Sequence, residues 1–135
     1  MKRYFLDTNI LIDFVADRKP FSQHVLKLFQ LPKSENELWT SDNSITTTYY
    51  ILEQQLGREE AKRKLGLLLK HLFIQPIEKQ ELVTALTQTF NDYEDAVQYM
   101  AALKQGSITA IITRNKKDFK TSKLPILAPD ELFDQ

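Results

Sequence analysis

The chain contains no cysteine, and its 135 residues include only three glycines and two histidines. Without cysteine there is no disulfide, no thiolate nucleophile and no thiolate metal site, and a reducing compartment suits it. Gly57, Gly66 and Gly106 stand far apart, so no glycine-rich loop is available to cradle a nucleotide phosphate. His24 and His71 are isolated from other ligand types and read as surface or packing residues. Charge of one sign is also missing. Lys+Arg and Asp+Glu both number 18, so no net field recruits a polyanion and any such binding must rest on local patches. No run approaches the roughly 18 apolar residues of a membrane span, and the apolar stretch after Lys2-Arg3 is too short for a secretion signal. The hydrophobic share of 42% and charged share of 27% are those of an ordinary globular protein. A cytoplasmic protein of one domain, residues 1–135, with no membrane contact is therefore expected.

What is present alternates between strand and helix patterns. Arg3 to Leu6 reads as a first strand, and a helix follows Asp7-Thr8-Asn9 with Ile10, Leu11 and Phe14 on its apolar face. Lys19-Pro20 breaks that run, and Ser22 is expected to cap a segment carrying Val25, Leu28 and Phe29. Glu37 to Ser41 is a short second strand. Asp42 or Ser44 is expected to cap the next helix, whose Ile45, Tyr49, Leu52 and Leu56 recur at helical spacing until Gly57 ends it. Tyr49 and Tyr50 fall within this spacing and read as core and rim. Ala61, Leu65, Leu68, Leu69 and Leu72 mark another amphipathic helix, and Leu72 to Ile74 also begins a third strand closed by Pro76. Val83 and Leu86 sit on a short helix. Tyr93, Ala96, Val97, Met100 and Ala101 form an unbroken helical stripe that Gly106 ends. Ala110 to Thr113 and Pro125 to Leu127 are the last two strands. Strands alternating with helices predict an α/β fold, a single parallel sheet covered by helices on both faces.

Acidic residues fall where such a sheet collects ligands, at the carboxyl ends of its strands. Asp7 ends the first strand, Asp92-Tyr93-Glu94-Asp95 opens the best helix, and Asn115 and Asp118 follow the late strand. Oxygen ligands without thiolate or clustered imidazole suit a hard divalent cation such as Mg²⁺ or Mn²⁺. Each residue also has a structural reading. Asp7 and Asp92 are good helix N-caps, Asp95 suits a first helical turn, and Asn115 with Asp118 suits a type I turn. Spacing of three puts Asp92 and Asp95 on one helix flank as the metal pair, with Glu94 on the opposite flank. Arg114, Lys116, Lys117, Lys120 and Lys123 form the one locally basic stretch, either a phosphate track or a solvated face. Three rival chemistries lack their residues. A phosphotransfer receiver needs an acid in Phe73-Ile74-Gln75-Pro76-Ile77, and a dehalogenase-type phosphatase needs Asp where Asn9 stands. Nucleotide-binding loops need the missing glycines.

Taken together, Phe5-Leu6-Asp7-Thr8-Asn9-Ile10-Leu11-Ile12-Asp13, Tyr49-Tyr50-Ile51-Leu52, Asp92-Tyr93-Glu94-Asp95-Ala96, Thr113-Arg114-Asn115-Lys116-Lys117-Asp118-Phe119 and Pro125 to Leu132 resemble the PIN-domain family of metal-dependent nucleases. VapC-type toxins of toxin–antitoxin pairs are its most numerous members. The resemblance spans nearly the whole chain and implies a three-layer α/β/α sandwich around a five-stranded, mainly parallel sheet. It also implies one or two Mg²⁺ or Mn²⁺ ions and hydrolysis of phosphodiester bonds in single-stranded RNA. Metal or catalytic roles fall on Asp7, Asp95 and Asp118, with Asn115 as a polar site residue and Asp92 or Glu94 as helpers. A cognate antitoxin and a homodimer are the implied protein partners. One departure stands out: many members carry a Glu where this chain has Thr47, within Thr46-Thr47-Thr48. An alternative follows from it, a PIN-like module with weakened chemistry that binds RNA or protein.

Overall fold

A computed structural model describes residues 1–133. Five strands, β1 (Lys2–Leu6), β2 (Asn36–Ser41), β3 (Leu72–Gln75), β4 (Ala110–Ile112) and β5 (Ile126–Leu127), form one sheet in the order β3-β2-β1-β4-β5. Every neighbouring pair is parallel. The expected α/β sheet is therefore present, and β1 is central because Tyr4, Phe5 and Leu6 are all buried, as a parallel strand covered on both faces requires.

Six helices cover the sheet: α1 (Thr8–Val15), α2 (Ser22–Phe29), α3 (Asp42–Leu56), α4 (Arg58–Leu69), α5 (Lys79–Ala85) and α6 (Tyr93–Gln105). Side chains alternate across a strand, so Tyr4 and Leu6 pack with Ile10, Leu28, Leu52 and Leu68 from α1 to α4. Phe5 points the other way, into a second core with Tyr99, Ala102, Ile111 and Phe119. Gly57 and Gly106 end α3 and α6 at φ 83° and 87°, a conformation glycine adopts without steric cost. No helix among the described residues is long and apolar enough to cross a membrane.

Several local expectations give way to what the backbone does. Ser22 is the first helical residue of α2, and the cap is Phe21, which offers no side-chain bond. The cap of α3 is Ser41, whose hydroxyl accepts from the Ser44 N–H at 3.1 Å. Strand β2 runs directly into the turn there, so the cap falls one residue before Asp42. Tyr93 is 47% exposed, although the stripe it opens is buried further along. It occupies the first position of α6, outside the packed turns, and its hydroxyl donates to the Leu82 carbonyl at 2.7 Å. Leu86 lies just past the end of α5 and is exposed, as is Val83 within it.

The strand order reverses direction between β1 and β4. Connections leave those two strands to opposite sides, which opens a crevice above their carboxyl ends.

Candidate active site

Asp7 sits at the floor of that crevice and is buried. Its two readings hold at once. As N-cap of α1 its Oδ1 accepts from the Thr8 N–H at 2.9 Å. Its Oδ2 accepts from the Thr113 hydroxyl at 2.8 Å and the Asn9 amide at 3.1 Å. Asn9 also donates to the Thr113 hydroxyl and accepts from the Arg114 N–H, which ties the start of α1 to the end of β4. All the donors around Asp7 are neutral. Burial pushes its carboxyl above the usual carboxylate range, hydrogen bonds from Thr113 and Thr8 oppose that, and the charges of Glu94 and Asp118 add to it.

Asp95 lies in the first turn of α6, half-buried, facing the same crevice. Its carboxyl is pushed up to about 7, by burial first and then by the charges of Asp7, Asp92, Asp118 and Glu94. Of the five acids that repel one another here, Asp7, Asp92, Asp95 and Asp118 are expected at the site from sequence. Glu94 is expected only as a helper in place of Asp92, on the opposite helix flank. The fifth corrects an expectation. Glu94 does not point away from the site: its Oε1 lies 3.4 Å from the Thr8 hydroxyl, which also bonds the Ser44 hydroxyl at 2.8 Å. The spacing argument failed because Asp92 is not helical. It is the N-cap of α6, at φ −111° and ψ 126°, with Oδ1 accepting from the Asp95 N–H at 3.2 Å. Counting a helical flank from residue 92 therefore misplaces everything after it, and Asp92 serves as cap while its charge acts on Asp95.

Asn115 is exposed and precedes a 3-10 turn, Lys116–Phe119, that carries Asp118. The Asn115 N–H donates to the Thr113 hydroxyl at 3.0 Å, and the Asp118 N–H donates to the Asn115 carbonyl at 3.0 Å. The turn reading and the site reading again coincide. Thr113 was seen only as part of a motif, yet its hydroxyl is the hub between Asp7, Asn9 and Asn115. A polar residue ending an otherwise apolar strand is the signal that marks it.

Of the basic stretch, two members are committed elsewhere. Arg114 forks onto the fully buried Asp13 of α1 at 2.6 and 3.2 Å and stacks on the Phe21 ring at 3.9 Å. Lys116 pairs with Glu131 at 2.8 Å. Lys117, Lys120 and Lys123 remain exposed beside the turn.

The donor set consists of hard carboxylate and amide oxygens, which suits Mg²⁺ or Mn²⁺. Among the described residues, however, no three Asp, Glu or His side chains converge closely enough to hold an ion by themselves. Over 140 aligned residues the chain is 26% identical to the protein named Ribonuclease VapC1 of Aquifex aeolicus (strain VF5), covering 99% of this chain and 95% of that one. VapBC-1 from nontypeable Haemophilus influenzae matches in structure with TM-score 0.71 at 17% identity, over 95% of this chain and 98% of that one. VapBC2 from Rickettsia felis, bound to a promoter DNA fragment, matches with TM-score 0.68 at 22% identity, over 93% and 96%. The sequence pattern described as PIN domain matches residues 3–117, most of the chain and every site residue except Asp118. On that match, the chain belongs to the PIN-domain family.

Proposed function

We propose that this protein is an endoribonuclease that hydrolyses phosphodiester bonds of single-stranded RNA with Mg²⁺ or Mn²⁺, and that it is the toxin of a toxin–antitoxin pair. The observation that carries the reading is Asp95, placed among four other acids, its carboxyl pushed up to about 7 by burial first and then by their charges. The chain accepts this repulsion at one place, which is economical only if a cation arrives from outside.

Asp7, Asp95 and Asp118 are the residues that would hold the ion, with Glu94 beside them and Asp92 acting through its charge. Mg²⁺ keeps several waters and commonly takes one or two carboxylates together with substrate phosphate, so it does not require a closed three-acid cage. A bound divalent ion would lower the pKa of a water, orient the phosphodiester and stabilise charge on the attacked and leaving oxygens. The chain's own part is positioning. Thr113, Asn9 and the Thr8 N–H lock the Asp7 carboxylate, while the Asp92 cap fixes the first turn of α6 and so the place of Asp95. Asp95, among the other acids, would hold such an ion as the deprotonated carboxylate. Asn115, exposed at the rim, can donate to a phosphate oxygen, and Lys117, Lys120 and Lys123 supply the local attraction that a neutral chain otherwise lacks.

The relative named as a ribonuclease supports the reaction class, and the neighbours named as VapBC complexes support an antitoxin partner. Leu56, Leu67 and Leu69 on α3 and α4 are exposed, which supports a homodimer, and a monomer mass in light scattering would remove that part of the proposal. The test of activity is cleavage of labelled single-stranded RNA with Mn²⁺ against EDTA. Cleavage that stops in EDTA and returns with added Mn²⁺ is expected. Binding without cleavage in either condition would favour the weakened-module reading, for which Thr47 in place of an acid is the sequence feature.

A further inference from the structure

Beside the acidic centre, above the ends of β2 and β3, lies an open cleft of about 530 Å³ between α3, α5 and α6. Its walls are of two kinds. Tyr93, Ile77, Leu82 and Val97 are apolar, and Asn43 and Thr46 are polar. Glu94 lines the cleft and also reaches Thr8, next to Asp7, so cleft and acidic centre share a wall. Resting on the nuclease reading above, we propose that this cleft is the subsite for one nucleobase next to the scissile phosphate, with Tyr93 as its stacking platform and Asn43 as the reader of its edge.

Size, charge and rigidity all bear on the occupant. The volume falls in the range of small-ligand pockets and accommodates one nucleotide. Asp42 and Glu94 in its lining repel phosphate, which favours the neutral base over the charged backbone as the occupant. Tyr93 is pinned by its hydroxyl bond to Leu82, so its ring keeps one orientation at no further ordering cost when a base stacks on it. The Asp42 Oδ1 accepts from the Asn43 and Ile77 N–H groups at 2.9 and 3.2 Å, which joins the α3 wall to the segment after β3. Asn43 is held at that junction and carries both a donor and an acceptor, the pair needed to read a Watson–Crick edge.

The experiment uses the full-length protein, Mn²⁺ and a random-sequence single-stranded RNA pool, with cut sites read by sequencing. Wild type and Tyr93→Phe are expected to show a base preference at one position beside the cut. Tyr93→Ala raises KM about tenfold, the size of one lost base–aromatic stack, and flattens the preference. Asn43→Ala flattens the preference with a smaller effect on KM. Calorimetric Mn²⁺ affinity is unchanged in Tyr93→Ala, which separates a lost base contact from a damaged acidic centre. Absence of any base preference in wild type, or retention of preference and KM in Tyr93→Ala, would overturn the proposal while leaving the nuclease reading intact. If wild type cuts no RNA, the nuclease reading fails, and anisotropy with a labelled short RNA decides the cleft. Binding about tenfold weaker in Tyr93→Ala supports it, and equal binding overturns it in favour of a protein segment as occupant.

Discussion

Acids in two regions of this molecule are treated in opposite ways. Away from the crevice, three carboxylates taken out of water each have a cation of the chain beside them. Asp13 is forked by Arg114, Glu81 is met by Lys104, and Glu37 is met by Arg3. Glu81 and Glu37 accordingly sit below the usual carboxylate range, Glu81 chiefly through the Glu78 N–H and Glu37 chiefly through the Trp39 indole, with their cations adding to this. At the crevice, Asp7 and Asp95 meet only neutral donors and other acids, and both are raised. The same side-chain type is neutralised where it serves structure and left unneutralised where the family resemblance puts a metal. Burial alone does not explain this, since Asp13 is more buried than Asp95.

The largest way to break the comparison is to remove one acid from the crevice. Asp7→Asn is expected to lower RNA cleavage by more than about a hundredfold, beyond what losing an outer partner of a metal ligand costs. The metal-free variant should melt at the same temperature as wild type or above it, because one repelling charge is gone. A gel assay beside a melting curve checks both, and a variant that cuts as well as wild type would remove Asp7 from the site.

The paired region predicts the reverse. Asp13→Asn leaves the Arg114 guanidinium with half its fork and no counter-charge, at a cost of about 3 kcal/mol. For a chain of this length that is a fall of roughly 10 °C in melting temperature. The variant should still gain stability from Mn²⁺ when folded. A loss of under about 0.5 kcal/mol in urea unfolding would show that the buried pair matters little.

How much of this was legible beforehand depended on whether local pattern or tertiary approach decided the matter. The sheet was legible because Phe5-Leu6, Ile111-Ile112 and their flanking turns carry strand and stop signals in themselves. Asp7 was legible because it follows a buried strand, and Asp118 because it closes a motif. Glu94 was not, since its direction depends on where α6 begins, and a cap at Asp92 shifts that by one residue. Nor was the engagement of Arg114, because its partner Asp13 lies 101 positions away and no local rule joins them. Thr113 was visible as a residue but not as a hub, since its three partners come from β4's own exit and from α1.

A gentler probe sharpens the comparison through pH. Between the ordinary Asp value of 3.8 and about 7, the folded protein keeps a proton on Asp95 that the unfolded chain has released. Folding then binds protons, so stability of the metal-free protein falls as pH rises through that window, and Asp7 acts in the same direction. Scanning calorimetry in EDTA should therefore give a lower melting temperature at about pH 8 than at about pH 5. Asp95→Asn should flatten that slope, and saturating Mn²⁺ should offset it at the alkaline end by binding the deprotonated acids. A melting temperature that rises across the window in EDTA would mean that the acids do not repel as described.

The smallest expected effect concerns Thr47, half-buried one turn beyond Ser44 on α3. Thr47→Glu adds a carboxylate near the Thr8–Ser44 contact and should tighten Mn²⁺ binding several-fold. Glu53→Gln, more than a turn further along α3, should change it little. The opposite pattern would place Glu53, rather than residue 47, nearest the ion.

The central claim is that the unpaired acids, and not the paired ones, await a divalent cation. Calorimetric titration of Mn²⁺ into wild type, Asp7→Asn and Glu37→Gln tests it most directly, because Glu37 lies on β2 beneath the crevice and is already met by Arg3 and Trp39. The account predicts saturable binding by wild type and Glu37→Gln with matching affinity, and none by Asp7→Asn. No binding by wild type at millimolar Mn²⁺, or equal binding by Asp7→Asn, would contradict it.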